Sequence, residues 1–149
     1  RTYVEARKEG YLAALEAAGI TYDPAIYINQ EKSEANGLVS SIKLFSNEEN
    51  IPTGIVCGNT AMAKGVYVGL EAVGLRVPDD VSVVAHDDLL PGLEANTFTP
   101  DLTATQAPLS NSWAPMAKLL CEAIDGADMA DVQMIEPLKM KVRRSVREI

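Results

Sequence analysis

Two short apolar runs constrain this chain most: residues 53–57, Thr-Gly-Ile-Val-Cys, and residues 81–85, Val-Ser-Val-Val-Ala. Neither follows a clean in-out alternation, and the first in particular reads as a strand covered on both faces of a parallel sheet. Helix-spaced segments surround them. Residues 2–18 place Val4, Tyr11, Leu15 and Ala18 at helical spacing among charges and end at Gly19; residues 33–45 carry the stripe Leu38, Val39, Ile42 and Phe45; residues 61–73 end at Gly74. A short strand is expected over residues 25–28, which makes the order helix, strand, helix, strand, helix, strand. Such alternation with short connections predicts right-handed crossovers and a parallel sheet covered by helices.

The remainder is patterned differently. Residues 102–106 read as a strand and 109–124 as a helix, with a turn over 126–131. In residues 138–143, Leu-Lys-Met-Lys-Val-Arg, apolar and basic residues alternate, as expected of a strand with one wet face at a sheet edge. The 149 residues suffice for one domain with a sizeable core. No apolar run is long enough to span a membrane. The chain opens at Arg1 without a start methionine or signal segment, so it is expected to be a piece of something longer, and the absence of targeting signals implies nothing about the parent protein.

Composition narrows the function. With 13 Lys+Arg against 21 Asp+Glu the net charge is -8, the wrong sign for neutralising phosphates, so these residues by themselves should not hold DNA. Cys57 and Cys121 stand far apart, in no metal-ligand spacing, and both read as small buried hydrophobes in a reducing cytoplasm. No metal or cofactor is implied.

In open parallel sheets ligands collect beyond the carboxyl ends of the strands, here Gln30 to Lys32, Gly58-Asn59-Thr60 and His86-Asp87-Asp88. Asn59 offers a donor and an acceptor, and Asp87 offers acceptors for paired hydroxyls, yet Asn59 or Thr60 could equally cap a helix, and the aspartates could serve a turn. His86 beside two aspartates invites a base or metal reading. A neutral histidine packed at a strand end is the better account, because no nucleophile elbow or second ligand cluster accompanies it. Gly65, Gly69 and Gly74 lie in or after a helix, outside a phosphate-binding pattern, and are expected to let that helix pack closely on the sheet. Lys139, Lys141, Arg143, Arg144 and Arg147 read as a solvated edge-strand face, and Arg7 as half of a surface ion pair.

Several segments together resemble the effector-binding core of the lactose-repressor-type (LacI/GalR) transcription regulators. They are Arg7-Lys8-Glu9-Gly10-Tyr11, Ile51-Pro52-Thr53, Cys57-Gly58-Asn59-Thr60-Ala61-Met62-Ala63, Gly74-Leu75-Arg76-Val77-Pro78-Asp79-Asp80-Val81-Ser82, Asp87-Asp88, Thr99-Pro100-Asp101-Leu102-Thr103, Gln106-Ala107-Pro108-Leu109 and Arg143-Arg144-Ser145. Their order runs over essentially the whole chain. The resemblance implies a Rossmann-like lobe of a two-lobed, periplasmic-binding-protein-like fold with effector in the cleft: residues 1–105 as the C-terminal lobe, 106–131 as a crossover and 132–149 as the return. It also implies a helix-turn-helix domain and most of the other lobe outside these residues. Effector would then bias a DNA-competent arrangement against a released one.

Carried over residue by residue, the resemblance makes Arg7, Asn59 and Asp87 the grip on sugar hydroxyls, with Gln106 near the cleft floor. The chain departs from the pattern at Thr60, where an aspartate is usual, and at Ala85-His86, which replaces a glycine-aromatic pair and makes His86 a cleft wall or packing. Lys32 stands where an aromatic often stacks on the sugar; a cation there predicts an effector that is a sugar acid, a sugar phosphate or otherwise more polar than a plain sugar. The resemblance further implies a homodimer, with Tyr67, Leu90, Leu93 and Phe98 at the self-contact or else in the core. A regulator's sensor without catalysis is the leading expectation. A periplasmic sugar-binding protein of a transport system is the alternative, and an enzyme using His86 and Asp87 ranks behind both.

Overall fold

The structure is a computed structural model that describes residues 2–46, 51–87, 91–106, 109–128, 134 and 137–148. The side chains of Tyr3, Asp87, Leu109 and Ser110 lie outside that description. Helix α1 (Tyr3–Ala17) begins with a capping box in which the Thr2 hydroxyl accepts from the Glu5 N–H and the Glu5 carboxylate accepts from the Thr2 N–H. It stops at Gly19, whose φ of 67° continues no helix. Helix α2 (Glu34–Phe45) is capped by Ser33, and α3 (Thr60–Ala72) by Asn59. Helix α4 (Trp113–Ile124) follows a single 3-10 turn.

The sheet holds β1 (Gly54–Cys57), β2 (Ser82–Asp87), β3 (Thr103–Gln106) and β4 (Lys139–Lys141) in that spatial order. The first three run parallel, and β4 lies at the edge, as its alternating sequence predicts, antiparallel to β3; the buried face that the alternation also predicts is not seen, since Leu138, Met140 and Val142 are 56–78% exposed. The fold is therefore the expected α/β class, a Rossmann-like parallel sheet with flanking helices. Its core is formed by Cys57, Ala63, Val66, Leu70, Val81, Val83, Ala85, Ala95, Leu102 and Ala104. Burying leucines such as Leu70 and Leu102 stabilises the fold by about 1.5–3 kcal/mol each.

Four expectations are corrected. The strand over residues 25–28 is instead a 3-10 turn, Pro24–Ile26, because Pro24 presets the first helical position and the Asp23 carboxylate accepts from the Ala25 N–H at 2.8 Å. Strand β1 is not covered on both faces, since Val56 is 70% exposed, and it has no strand on its outer edge among the described residues. Gly65 and Gly69 pack α3 on α2 rather than on the sheet. A Cβ at Gly65 would drive into the Glu34 carbonyl oxygen and come within 2.7 Å of the Leu38 nitrogen, and one at Gly69 would strike the Ser41 hydroxyl. Cys121 is exposed on α4, and only Cys57 is buried.

The basic tail is also more than a solvated face. Lys139 and Lys141 are exposed, but Arg143 donates to the Leu102 carbonyl at 2.7 Å and Arg144 pairs with Asp101 at 2.6 Å. That contact holds the Asp101 carboxyl below its ordinary range. Ser145 is fully buried; its hydroxyl donates to the Val83 carbonyl at 2.6 Å and accepts from the Thr103 N–H at 2.7 Å, bolting the chain end across β2 and β3.

Candidate functional site

A cavity of about 860 Å³ opens between α1, residues 26–32, α2 and the outer edge of β1. Its volume lies within the roughly 300–1,000 Å³ of small-molecule sites. One part is apolar, walled by Ile26, Ile28, Leu44, Ile55, Val56 and Val84. The other lies at the carboxyl ends of β1 and β2, where Arg7, Gln30, Glu31, Lys32, Gly58 and His86 gather. The topology explains the gathering. In the parallel register Cys57 faces Ala85, so the residues that follow, Gly58 and His86, emerge side by side.

Local structure fixes each side chain. Arg7, on the second turn of α1, donates from Nη1 to the Gly58 carbonyl at 2.8 Å, a long-range contact that its sequence neighbours do not suggest. The segment carrying Lys32 is held on both sides: the Asn36 amide donates to the Glu31 carbonyl at 3.0 Å, and the Ser33 hydroxyl accepts from the Asn36 N–H at 3.2 Å. The Lys32 stem crosses Gly58 so closely that a Cβ there would stand 3.2 Å from Lys32 Cε. Gln30 accepts from the Ser40 hydroxyl at 3.2 Å. His86 is half-buried, with Nδ1 2.9 Å from the Thr105 hydroxyl, which fixes its ring as a wall at the strand end.

Of the six expected effector residues, the structure brings Arg7, Lys32 and His86 together around the cavity. Asn59 follows Gly58 directly but caps α3, its Oδ1 accepting from the Met62 N–H at 2.9 Å. Gln106 ends β3 opposite Asp87 in register, and neither is among the described lining residues; the Asp87 side chain lies outside the described ones. Thr60, the alternative cap, is buried, and its hydroxyl has no partner among the described residues.

Sequence reasoning missed Lys8, Tyr11 and Tyr27. Tyr22 packs edge-on against both tyrosines, and the Lys8 ammonium lies 4.7 Å from the centre of the Tyr27 ring. Both tyrosines line the cavity and lend it aromatic surface. Nothing local announces that cluster, since it joins α1 to a turn read as a strand.

Among the expected self-contact residues, Tyr67 and Phe98 meet edge-on at 5.2 Å, and the Tyr67 hydroxyl donates to the Pro100 carbonyl at 3.0 Å. Burial pushes that phenol up to about 12. With Leu93 and the exposed Val68 they line a surface depression of about 340 Å³; Leu90 lies outside the described residues. No described His, Cys, Asp and Glu group could hold a metal ion.

The model of the periplasmic binding protein-like domain matches residues 1–146. The chain belongs to that family. Its curated relatives are LacI-type regulators. It is 32% identical over 143 residues to the probable HTH-type transcriptional repressor ExuR of Bacillus subtilis, covering 96% of this chain and 42% of that protein. It is 31% identical over 123 residues to the HTH-type transcriptional regulator AglR of Rhizobium meliloti, covering 83% of this chain and 34% of that protein. Among solved structures it is similar to a LacI family transcriptional regulator from Enterococcus faecium with bound ribose, at 26% identity and a TM-score of 0.77, covering 96% of this chain and 51% of that one. The chain thus spans between a third and a half of the proteins it matches. These findings bear out the LacI-type resemblance and do not favour the transport-protein alternative. No described helix is long and apolar enough to cross a membrane.

Proposed function

We propose that residues 1–149 are the sensor part of a cytoplasmic LacI-type transcription regulator: they bind a carbohydrate-type effector and thereby control DNA binding by a helix-turn-helix domain elsewhere in the protein. The observation that carries this reading is the convergence of Arg7, Lys32 and Gly58 at the carboxyl ends of β1 and β2, inside a cavity of effector size. Guanidinium N–H groups and the Gln30 amide suit sugar hydroxyls, and Tyr27 suits an apolar sugar face. In this reading Asn59, through its amide NH₂, Asp87 and Gln106 complete the grip, and His86 is a wall of the cleft. Residues 1–105 are one lobe, 106–131 the crossover and 132–149 the return.

The regulator acts as a homodimer through the face of Tyr67, Val68, Leu93 and Phe98, with Leu90, outside the described residues, as a further expected contact. The apolar rim of the depression beside α3 supports that assignment. Effector shifts DNA affinity only through contacts that differ between the two states of the protein. The deciding experiment is operator binding by the complete regulator with and without a panel of sugars. An effector-dependent change that Arg7→Ala abolishes is the expected result; operator binding indifferent to every sugar refutes the sensor assignment.

A further inference from the structure

We infer that the apolar part of the cavity is the seat of a further β-strand, which pairs with the outer edge of β1 and belongs to the polypeptide leading into α1 in the complete regulator. The inference goes beyond the sensor reading and does not rest on it. Two unbroken runs of backbone flank the cavity: every residue from Gly54 to Gly58 lines it, and so does every residue from Ile26 to Lys32. A small-molecule site gathers a few convergent side chains, whereas walls of consecutive residues suit an extended chain. The edge itself is unpaired. The Ser82 N–H donates to the Thr53 carbonyl at 2.9 Å, so Thr53, Ile55 and Cys57 turn their backbone groups toward β2, and Gly54, Val56 and Gly58 turn theirs outward. Arg7 takes the outward carbonyl of Gly58, and among the described residues no strand lies beside the others. Such an edge is a template for one more strand.

The surroundings and the topology name the occupant. Val4, Tyr11 and Ala14 turn the same side of α1 to the cavity, although no described side chain of α1 is fully buried, and Val56 across from them is 70% exposed. An apolar strand covers both, as a parallel sheet requires. A strand seated between residues 26–32 and β1 and continuing through α1 steps outward to residues 26–32, while the chain from β1 steps the other way, to β2 and β3. Strand order reverses at that point, and ligands of open α/β sheets bind at such a reversal. The reversal falls at the polar end of the cavity, where Arg7, Gly58 and His86 gather, so the strand fills the apolar part and leaves the polar end to the effector. The chain spans 34% and 42% of the two regulators it was set beside, so a protein of their length has polypeptide to supply the strand.

The test is residue-resolved hydrogen exchange on the complete regulator without sugar. The outward N–H of Val56 is expected to exchange about 100-fold or more slowly than that of an unstructured chain, in step with Val84, which lies between β1 and β3. The roughly 4–6 residues leading into Thr2 should be protected to the same degree. A Val56 N–H that exchanges as an open edge does, while Val84 is protected, overturns the strand. Protection of Val56 alongside fast exchange in the residues leading into Thr2 gives the edge to another segment and overturns the occupant. Protection that disappears on dilution gives it to a second copy and overturns the occupant as well. Because no sugar is present, each of these outcomes is independent of the sensor reading, which stands or falls on operator binding.

Discussion

Helices α2 and α3 and helices α1 and α4 have comparable sequence patterns and opposite fates. In the first pair the two backbones meet through Gly37, Gly65 and Gly69, and Ser41, Thr60, Val66 and Leu70 are buried. In the second pair no described side chain is fully buried, and α4 leaves Trp113, Met116, Leu120 and Ile124 in a stripe, 55–75% exposed. Apolar residues at helical spacing show which face of a helix is apolar. They do not show whether anything in these 149 residues covers it.

The sharpest way to break this comparison uses the two cysteines, one in the sheet beneath α3 and one on α4. Burial pushes the Cys57 thiol from 9.0 up to about 12, so its thiolate is scarce in the native state. Iodoacetamide at pH 8 should label exposed Cys121 readily and Cys57 only after denaturation; mass spectrometry showing equal labelling refutes the packing of β1. Because the folded pKa lies above the unfolded one, Cys57's contribution to stability is complete below pH 9 and is lost as the pH rises from there toward 12.

Next in size is a single substitution made in each layer. Gly65→Ala forces a Cβ against the α2 backbone and should cost about 3 kcal/mol in a urea melt. Gly10→Ala on α1, where a Cβ meets nothing within 4 Å, should instead stabilise by about 0.5–1 kcal/mol. Equal effects at the two sites would remove the distinction between the layers.

Ser145→Ala removes a buried hydroxyl that serves two backbone partners, and is expected to cost about 2 kcal/mol by the same measurement. The smallest effect is expected on the exposed stripe. Leu120→Lys should leave stability within about 0.5 kcal/mol while lowering any self-association of the 149-residue chain seen by ultracentrifugation. A large loss of stability there would mean that α4 is packed rather than exposed.

Much of this molecule is legible without coordinates. The helix end at Gly19, a cap at Asn59 or Thr60, the three parallel strands and the edge strand follow from local rules: hydrogen-bonding side chains at helix starts, a left-handed glycine at a helix end, and apolar runs of strand length. The same rules mark the carboxyl ends of the strands as the place for a ligand, and Lys32 and His86 lie there.

Other features depend on contacts between residues far apart in sequence. Arg7 meets Gly58, Arg143 meets Leu102 and Ser145 meets Val83, and no local pattern separates those arginines from solvated ones or that serine from a surface serine. The misread strand at residues 25–28 shows the same limit, since its apolar residues suit a sheet but a strand also requires a neighbour to bond with. The sequence by itself therefore determined the elements, their order and the acidic character of the chain, because these depend on residues near one another or on sums over all of them. Only the tertiary structure decided which cations share a cavity, which glycines are contact points and which apolar faces stay bare, because each of those depends on the distance between elements that the chain brings together only when it folds.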